Sequence, residues 1–258
     1  MKVVSFINEK GGTCKTTFAV NFAAYYALKR NKKVLLIDMD SQGHSGKSLG
    51  VRVHEVENTI YDLMTNTRLS VEKTIAPTAY ENLDLLCANK KLSYLPEELS
   101  GKTDRNLRLY KIIKKVKNLG YDYIFIDSPP SAGLVTSNIL VASTDVVVPV
   151  ALTYLALDGC AEVAGSIRHT RETIKEAECK LGMVVPTLYR KTKLANEIVK
   201  KLSEYFPDRL SKTILGYNVK IDEAQSFGQT IWEYDAKGKG SLMLEALAVE
   251  LYNKVLRK

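Results

Sequence analysis

The sequence predicts an α/β fold: a doubly wound, mostly parallel sheet with helices on both faces. Two observations carry this. Short apolar runs rich in β-branched residues alternate with helix-patterned runs along almost all of the 258 residues. Alternation at that spacing implies crossover helices joining parallel strands. Polar residues also stand where the apolar runs stop, at Asn8, Asp38, Asp40 and Asp127. In an open parallel sheet, ligands lie beyond the carboxyl ends of the strands.

The elements follow in order. "KVVSFIN" (2–8) is a β-branched and aromatic run, read as a strand. "KTTFAVNFAAYYALKR" (15–30) has helical spacing and many small residues. "KKVLLIDMD" (32–40) is a buried strand ending in acids. Residues 66–102 show no clear period. "DRNLRLYKIIKKVKNLG" (104–120) is an amphipathic helix closed by glycine. "YDYIFIDSPPS" (121–131), "TDVVVPV" (144–150) and "LGMVVPT" (181–187) are further strands. "SLMLEALAVELYNKVLRK" (241–258) is a helix whose basic end suits its dipole. No linker, repeat or low-complexity segment divides the chain, so residues 1–258 are read as a single domain.

Composition excludes several classes. Hydrophobic residues make up 45% and charged residues 26%, an ordinary globular balance. The four cysteines, Cys14, Cys87, Cys160 and Cys179, form no C-x-x-C pair, and there are only three histidines, which argues against structural zinc. Scattered cysteines fit a reducing, cytoplasmic setting. The longest uncharged run, 128–144, holds two prolines, a glycine and six Ser/Thr, a poor membrane span.

The stretch "NEKGGTCKTT" (8–17) carries the chemistry. A phosphate-binding loop needs inward-pointing backbone N–H groups, a lysine that reaches the phosphates and a hydroxyl for Mg²⁺. Gly11 and Gly12 allow close backbone approach; Lys15 and Thr16 are the lysine and the hydroxyl. The common pattern G-x-x-x-x-G-K-[ST] is broken, because Glu9 and Cys14 stand at its glycine positions. The bland alternative is a glycine-containing turn with a chance "CKTT". Asp38 and Asp40 at one strand end and Asp127 at another weigh against it, since an acid there steadies Mg²⁺ through water.

These motifs together resemble the ParA/MinD ATPases. "KGGTCKTT" is similar to their deviant Walker-A loop K-G-G-x-G-K-[ST]-T. "DMDSQG" resembles the switch segment D-x-D-P-Q-[GA], and "DSPPS" matches the second acidic motif. "VPVALTYLALDG" and the block from Asn218 to Ser241 resemble later family blocks. The resemblance is strongest to short ParA proteins that lack an N-terminal DNA-reading domain. It implies ATP and Mg²⁺ as cofactors and a slow ATPase activity. It assigns the nucleotide to Lys10, Gly11, Gly12, Thr13, Cys14, Lys15, Thr16 and Thr17, with Asn218 near the adenine.

The same resemblance makes Lys10 the signature lysine, reaching across an ATP-sandwiched homodimer to the partner's phosphates. Lys10, Lys15 and Asp40 become the catalytic set, with Asp40 positioning the attacking water. Thr16, Asp40 and Asp127 stand on the metal side, and Asp158 is a further candidate for a contact across the dimer. Three departures from the family pattern are Cys14 for glycine, Ser41 for proline and His44 for asparagine. If position 14 needs positive φ, cysteine costs about 1–2 kcal/mol. A thiol beside Lys15 at a helix N-terminus is also expected to have a lowered pKa, a basis for a redox switch; the alternative is a tolerated small residue.

Net charge is +8, and it is clustered. Residues 186–220 hold eight basic and three acidic residues; residues 102–118 hold seven and one. The rest of the chain is therefore net negative, a distribution that suits a polyanion-facing surface. By family position, Arg190, Lys191, Lys193 and Lys220 are the candidates for non-specific double-stranded DNA. For residues 102–118 the plainer reading is the solvated face of an amphipathic helix.

The resemblance thus implies a partition ATPase on the nucleoid, stimulated by a ParB-like centromere-binding partner. Alternatives are positioning of another cargo, such as a protein cluster; a membrane-associated MinD-like role; and an electron donor related to nitrogenase iron protein. The second wants an amphipathic membrane helix, which Glu245 and Glu250 disfavour. The third wants paired cysteines at an interface, for which Cys87 and Cys160 are the only candidates.

Overall fold

Successive residues of the central strands are apolar on both sides, so the sheet must be covered on both. The computed structural model describes residues 1–257. It contains seven strands: β1 (Lys2–Phe6), β2 (Val34–Asp38), β3 (Ala76–Pro77), β4 (Leu83–Leu86), β5 (Tyr123–Asp127), β6 (Asp145–Ala151) and β7 (Lys180–Thr187). Their order in the sheet is β3-β4-β2-β5-β1-β6-β7. All neighbours are parallel except the two-residue edge strand β3. Between and after the strands run α1 (Lys15–Arg30), α2 (His44–Ser48), α3 (Ile60–Thr65), α4 (Leu95–Glu98), α5 (Arg108–Val116), α6 (Leu134–Ala142), α7 (Ala156–Thr173), α8 (Lys193–Tyr205), α9 (Val219–Ser226), α10 (Ile231–Tyr234) and α11 (Lys239–Leu251).

The alternation of side chains along each strand divides the interior in two. Val3, Leu35, Ile37, Ile124, Ile126, Val146 and Val148 face a core closed by α3 to α8. Val4, Phe6, Leu36, Phe125 and Val147 face a second core closed by α1 and α9 to α11. α1 lies deep in that second core. Ala19, Ala23, Ala24 and Ala27 let it approach the sheet, and Phe18 and Phe22 stack at 5.1 Å beside Phe6. A helix buried nearly all round is expected to lack a polar face, and α1 is buried from Thr17 to Ala27.

The expected strands and the helix at 15–30 occur within a residue or two of their predicted ends, except that the strand expected at 121–131 stops at Asp127, where the chain leaves the sheet. The illegible stretch 66–102 contains β3, β4 and α4. The predicted helix at 104–120 is α5 flanked by 3₁₀ turns, and Gly120 ends it at φ 79°. The predicted last helix is α11 followed by a π-helical turn, Tyr252–Leu256; Lys258 lies outside the described residues. No helix among the described residues is long and apolar enough to cross a membrane.

One backbone contact holds the end of α9 against the segment after β2. Gly228 has φ 68°, and a Cβ there would lie 2.9 Å from the Gly50 Cα and 3.2 Å from the Lys47 carbonyl oxygen. Gly50 itself has φ 72°. Gly228→Ala should therefore cost about 2–3 kcal/mol, from left-handed strain plus overpacking. Gly165→Ala, where an added Cβ meets nothing within 4 Å, should be neutral or stabilising. Urea unfolding midpoints of the two variants check this.

Candidate functional site

The site grows from the end of β1. Ile7 N–H donates to the Val147 carbonyl at 3.0 Å and carries the chain out of the sheet. The Asn8 side chain then ties the loop down: its amide donates to the Pro149 carbonyl at 2.8 Å, and its oxygen accepts from Lys10 N–H at 3.0 Å. Gly12 and Cys14 both adopt left-handed backbone, φ 68° and 74°. The buried Thr13 carbonyl accepts from the Thr187 hydroxyl at 3.3 Å. α1 starts at Lys15 with no side-chain cap and no acid in its first turn. Its first N–H groups are therefore free for an anion, and the helix dipole favours one.

Lys15 is buried and donates to the Lys10 carbonyl at 2.8 Å, spanning the loop. Burial lowers its pKa, while Asp127 and Asp40 act in the opposite sense. One oxygen of Asp127 accepts from Thr16 Oγ1 at 2.7 Å and from Ser45 Oγ at 2.9 Å. The other, Oδ1, is buried with no partner. Burial pushes the Asp127 carboxyl up to about 6 against the pull of the two hydroxyls. Asp38 is also raised, by burial and by Asp127. Its two oxygens accept Asp40 N–H and Ser45 N–H, each at 3.0 Å, which pins the segment after β2 to the strand end. Asp40 is half-buried and accepts Gln42 N–H at 3.0 Å. Its charge shifts both Lys15 and Asp127. Ser45 was not anticipated; nothing in "GHSGKS" marks a hydroxyl that reaches another strand's acid.

Lys10, whose implied role is across a dimer, lies near the start of α7. In the single chain its ammonium donates to the Leu155 carbonyl, just before α7. Tyr154 and Leu155 beside it are 84% and 48% exposed, an apolar rim around the lysine. Asp158 lies in the first turn of α7. Asn218 caps α9, its oxygen accepting Lys220 N–H at 2.9 Å. α9 in turn reaches the start of α1, where Gln225 Nε2 donates to Thr17 Oγ1 at 3.4 Å.

Cys14 departs from the expected low pKa. Burial dominates and pushes its thiol up to about 11, although the Thr187 hydroxyl and Lys15 pull it down. The thiol stays protonated near neutral pH, so Cys14 is a small residue in a glycine conformation and no activated nucleophile. Cys87 and Cys160 lie in the cores on opposite faces of the sheet.

The predicted basic residues split. Tyr189 pairs with Gly216, which draws 190–193 and 216–220 onto one surface. The Arg190 guanidinium stands 5.3 Å from the Tyr217 ring centre. Arg190, Lys191 and Lys193, the first residue of α8, are exposed. Lys220 is ion-paired to Glu223 at 2.8 Å and lies over the Tyr234 ring. Of the seven basic residues at 102–118, Arg108 is buried and the other six are exposed, while Leu109, Ile112, Ile113 and Val116 of α5 are buried. There Arg108 and Lys111 share Asp104 at 2.9 and 2.6 Å.

A parallel sheet with a lysine-bearing anion loop after its central strand, and buried acids at the ends of β2 and β5, defines the P-loop NTPase fold. Residues 1–179 match the family model described as an AAA domain. The chain is 36% identical over 250 residues to the sporulation initiation inhibitor protein Soj of Bacillus subtilis, covering 97% of this chain and 98% of that one. It is 38% identical over 251 residues to the chromosome-partitioning ATPase Soj of Treponema pallidum, covering 97% and 96%. Among solved structures it is similar to cobyrinic acid a,c-diamide synthase from Mycobacterium smegmatis with bound ADP and magnesium. That match has a TM-score of 0.78 at 26% identity and covers 98% of this chain and 96% of that one. The chain belongs to the ParA/MinD family of partition ATPases.

Two predictions follow from the loop. Cys14→Gly should stabilise the protein by about 1 kcal/mol, by removing left-handed strain; thermal unfolding measures it. Asp127 has a folded pKa above the ordinary 3.8, so it favours the folded state below that value and progressively less as pH rises through about 6. Asp127→Asn should therefore raise nucleotide-free stability near neutral pH by about 1–3 kcal/mol and leave it unchanged near about pH 3.5. Urea midpoints of wild type and variant across that range check it.

Proposed function

We propose that this protein is a Mg²⁺-dependent ATPase of DNA segregation, whose ATP-bound homodimer binds double-stranded DNA without sequence preference. The observation that carries the reading is the unpartnered Asp127 Oδ1, whose carboxylate holds Thr16 at the uncapped start of α1 and acts on the charge of Lys15. An orphaned, fully buried carboxylate oxygen beside a hydroxyl is what a hydrated divalent cation satisfies. The residues present therefore fit both nucleotide and metal.

Lys10 to Thr17 would hold the phosphates through backbone N–H groups and the Lys15 ammonium. Thr16, Asp40 and Asp127 would hold Mg²⁺, and Asn218 would stand near the adenine. Bound Mg²⁺ offsets charge on the phosphate oxygens. Asp40 orients the attacking water from the half-exposed turn after β2. Lys10, once released from Leu155, is free to reach a partner's phosphate, where a second cation offsets developing charge. Hydrolysis without a stimulating partner is slow, and a ParB-like centromere-binding protein is the expected stimulator. Arg190, Lys191, Lys193 and Lys220 supply the phosphate contacts, with Lys220 first leaving Glu223. The setting is cytoplasmic, on the nucleoid.

DNA binding measured with ATP, ADP and no nucleotide, on unrelated duplexes at two salt concentrations, tests the reading. Binding should require ATP, ignore sequence and weaken steeply with salt. Arg190→Ala or Lys191→Ala should lower the salt slope by about one each. Binding that is indifferent to nucleotide sinks the proposal.

A further inference from the structure

At the end of the sheet opposite the phosphate loop, four tyrosines and two cations line a cavity of about 260 Å³. Tyr25 and Tyr26 come from the last turns of α1, Tyr123 opens β5, and Tyr252 follows α11. Arg30 ends α1, and Lys32 precedes β2. α1 separates this cavity from Lys15 by about 22 Å. The proposed ATPase uses none of these six residues.

Three features distinguish it from ordinary surface relief. The first is its aromatic wall. Tyr26 stands edge-on to Tyr25 and Tyr123, with ring centres 5.4 and 5.3 Å apart. Its hydroxyl is spent on the Ala248 carbonyl at 2.6 Å, which fixes the ring. Tyr25 and Tyr26 are each 1% exposed and form only the floor; half-buried Tyr123 and exposed Tyr252 are the rings a flat aromatic guest can contact. The second is its charge. No acid lines the cavity. The Arg30 guanidinium lies 5.5 Å from the centre of the Tyr25 ring. Lys32 pairs with Asp122 at 3.4 Å, but both are some 40% exposed, a weak and screened pair. The third is the backbone. Tyr252 begins the π-helical turn Tyr252–Leu256. Such turns are rare and frequent at functional sites. Tyr252 is 43% exposed, so one wall of the cavity faces solvent.

We propose that this cavity is a second ligand site, separate from the nucleotide loop, for a small aromatic carboxylate of one or two fused rings. The ring packs against Tyr123 and Tyr252, and the carboxylate pairs with Arg30, whose planar fork suits a carboxylate. The volume sets the size limit, being below the range that holds drug-sized ligands.

The test uses 2-naphthoate with the full chain, read by saturation-transfer NMR and calorimetry, with and without saturating Mg·ATP. Wild type should bind at millimolar concentration or tighter, and Mg·ATP should not displace the probe. Arg30→Gln combined with Lys32→Gln should weaken binding roughly tenfold, the loss of one charge-assisted contact. Tyr252→Ala should weaken it comparably, and neutral 2-naphthamide should bind wild type as weakly as naphthoate binds the charge variant. All three substituted residues lie at the surface, and circular dichroism checks that each variant folds. No binding to wild type, displacement by Mg·ATP, or unchanged affinity in both variants overturns the proposal.

Discussion

Everything at the carboxyl edge of the sheet depends on the carboxylate of Asp127. One of its oxygens accepts the hydroxyls of Thr16 and Ser45 together. Those hydroxyls belong to the first turn of α1 and to α2. A single buried acid therefore joins the phosphate loop, the segment after β2 and the end of β5. Its other oxygen stays without a partner. Burying a carboxylate this way is costly without a cation nearby, and the upward shift of its pKa expresses that cost. The nucleotide-free site carries that cost, and the proposed divalent cation would relieve it.

Asp38 plays a quieter part in the same arrangement. It spends both oxygens on backbone N–H groups of the segment that carries Asp40. Asp40 is thereby held close to Lys15 while remaining half-exposed. A buried acid supporting a half-exposed one would aim Asp40 in the water-positioning role proposed for it. The close glycine contact between Gly228 and Gly50 braces the same region from the side of α9. Changes around α9, which also presents Lys220, are thus mechanically near the nucleotide.

Lys10, which the proposed function assigns to a dimer, is accommodated within the single chain. Its ammonium is satisfied by its own Leu155 carbonyl, beside exposed Tyr154 and Leu155. In the proposed dimer, a second copy would cover the apolar rim as Lys10 leaves Leu155, and that single event would couple nucleotide to dimer formation.

Much of this was legible in the sequence. Runs of β-branched residues, each stopping at a polar residue, marked the central strands, because a strand buried on both faces has little room for anything else. Gly11, Gly12, Lys15 and Thr16 marked the loop, because close backbone approach and phosphate contact demand those residue types at that spacing. Strand order, the short edge pair β3–β4 and the role of Ser45 were not legible. Four residues such as Leu83–Leu86 are too few to show a period, and a hydroxyl's partner on another strand leaves no local trace. Cys14 shows the limit most clearly. Its neighbours predict a lowered thiol pKa, since a lysine and a helix N-terminus are visible in the chain. Burial, which depends on everything packed around the loop, raises it instead. Sequence alone determined which groups are the candidates to meet a phosphate; only the tertiary structure decided their solvation, and solvation sets their charge.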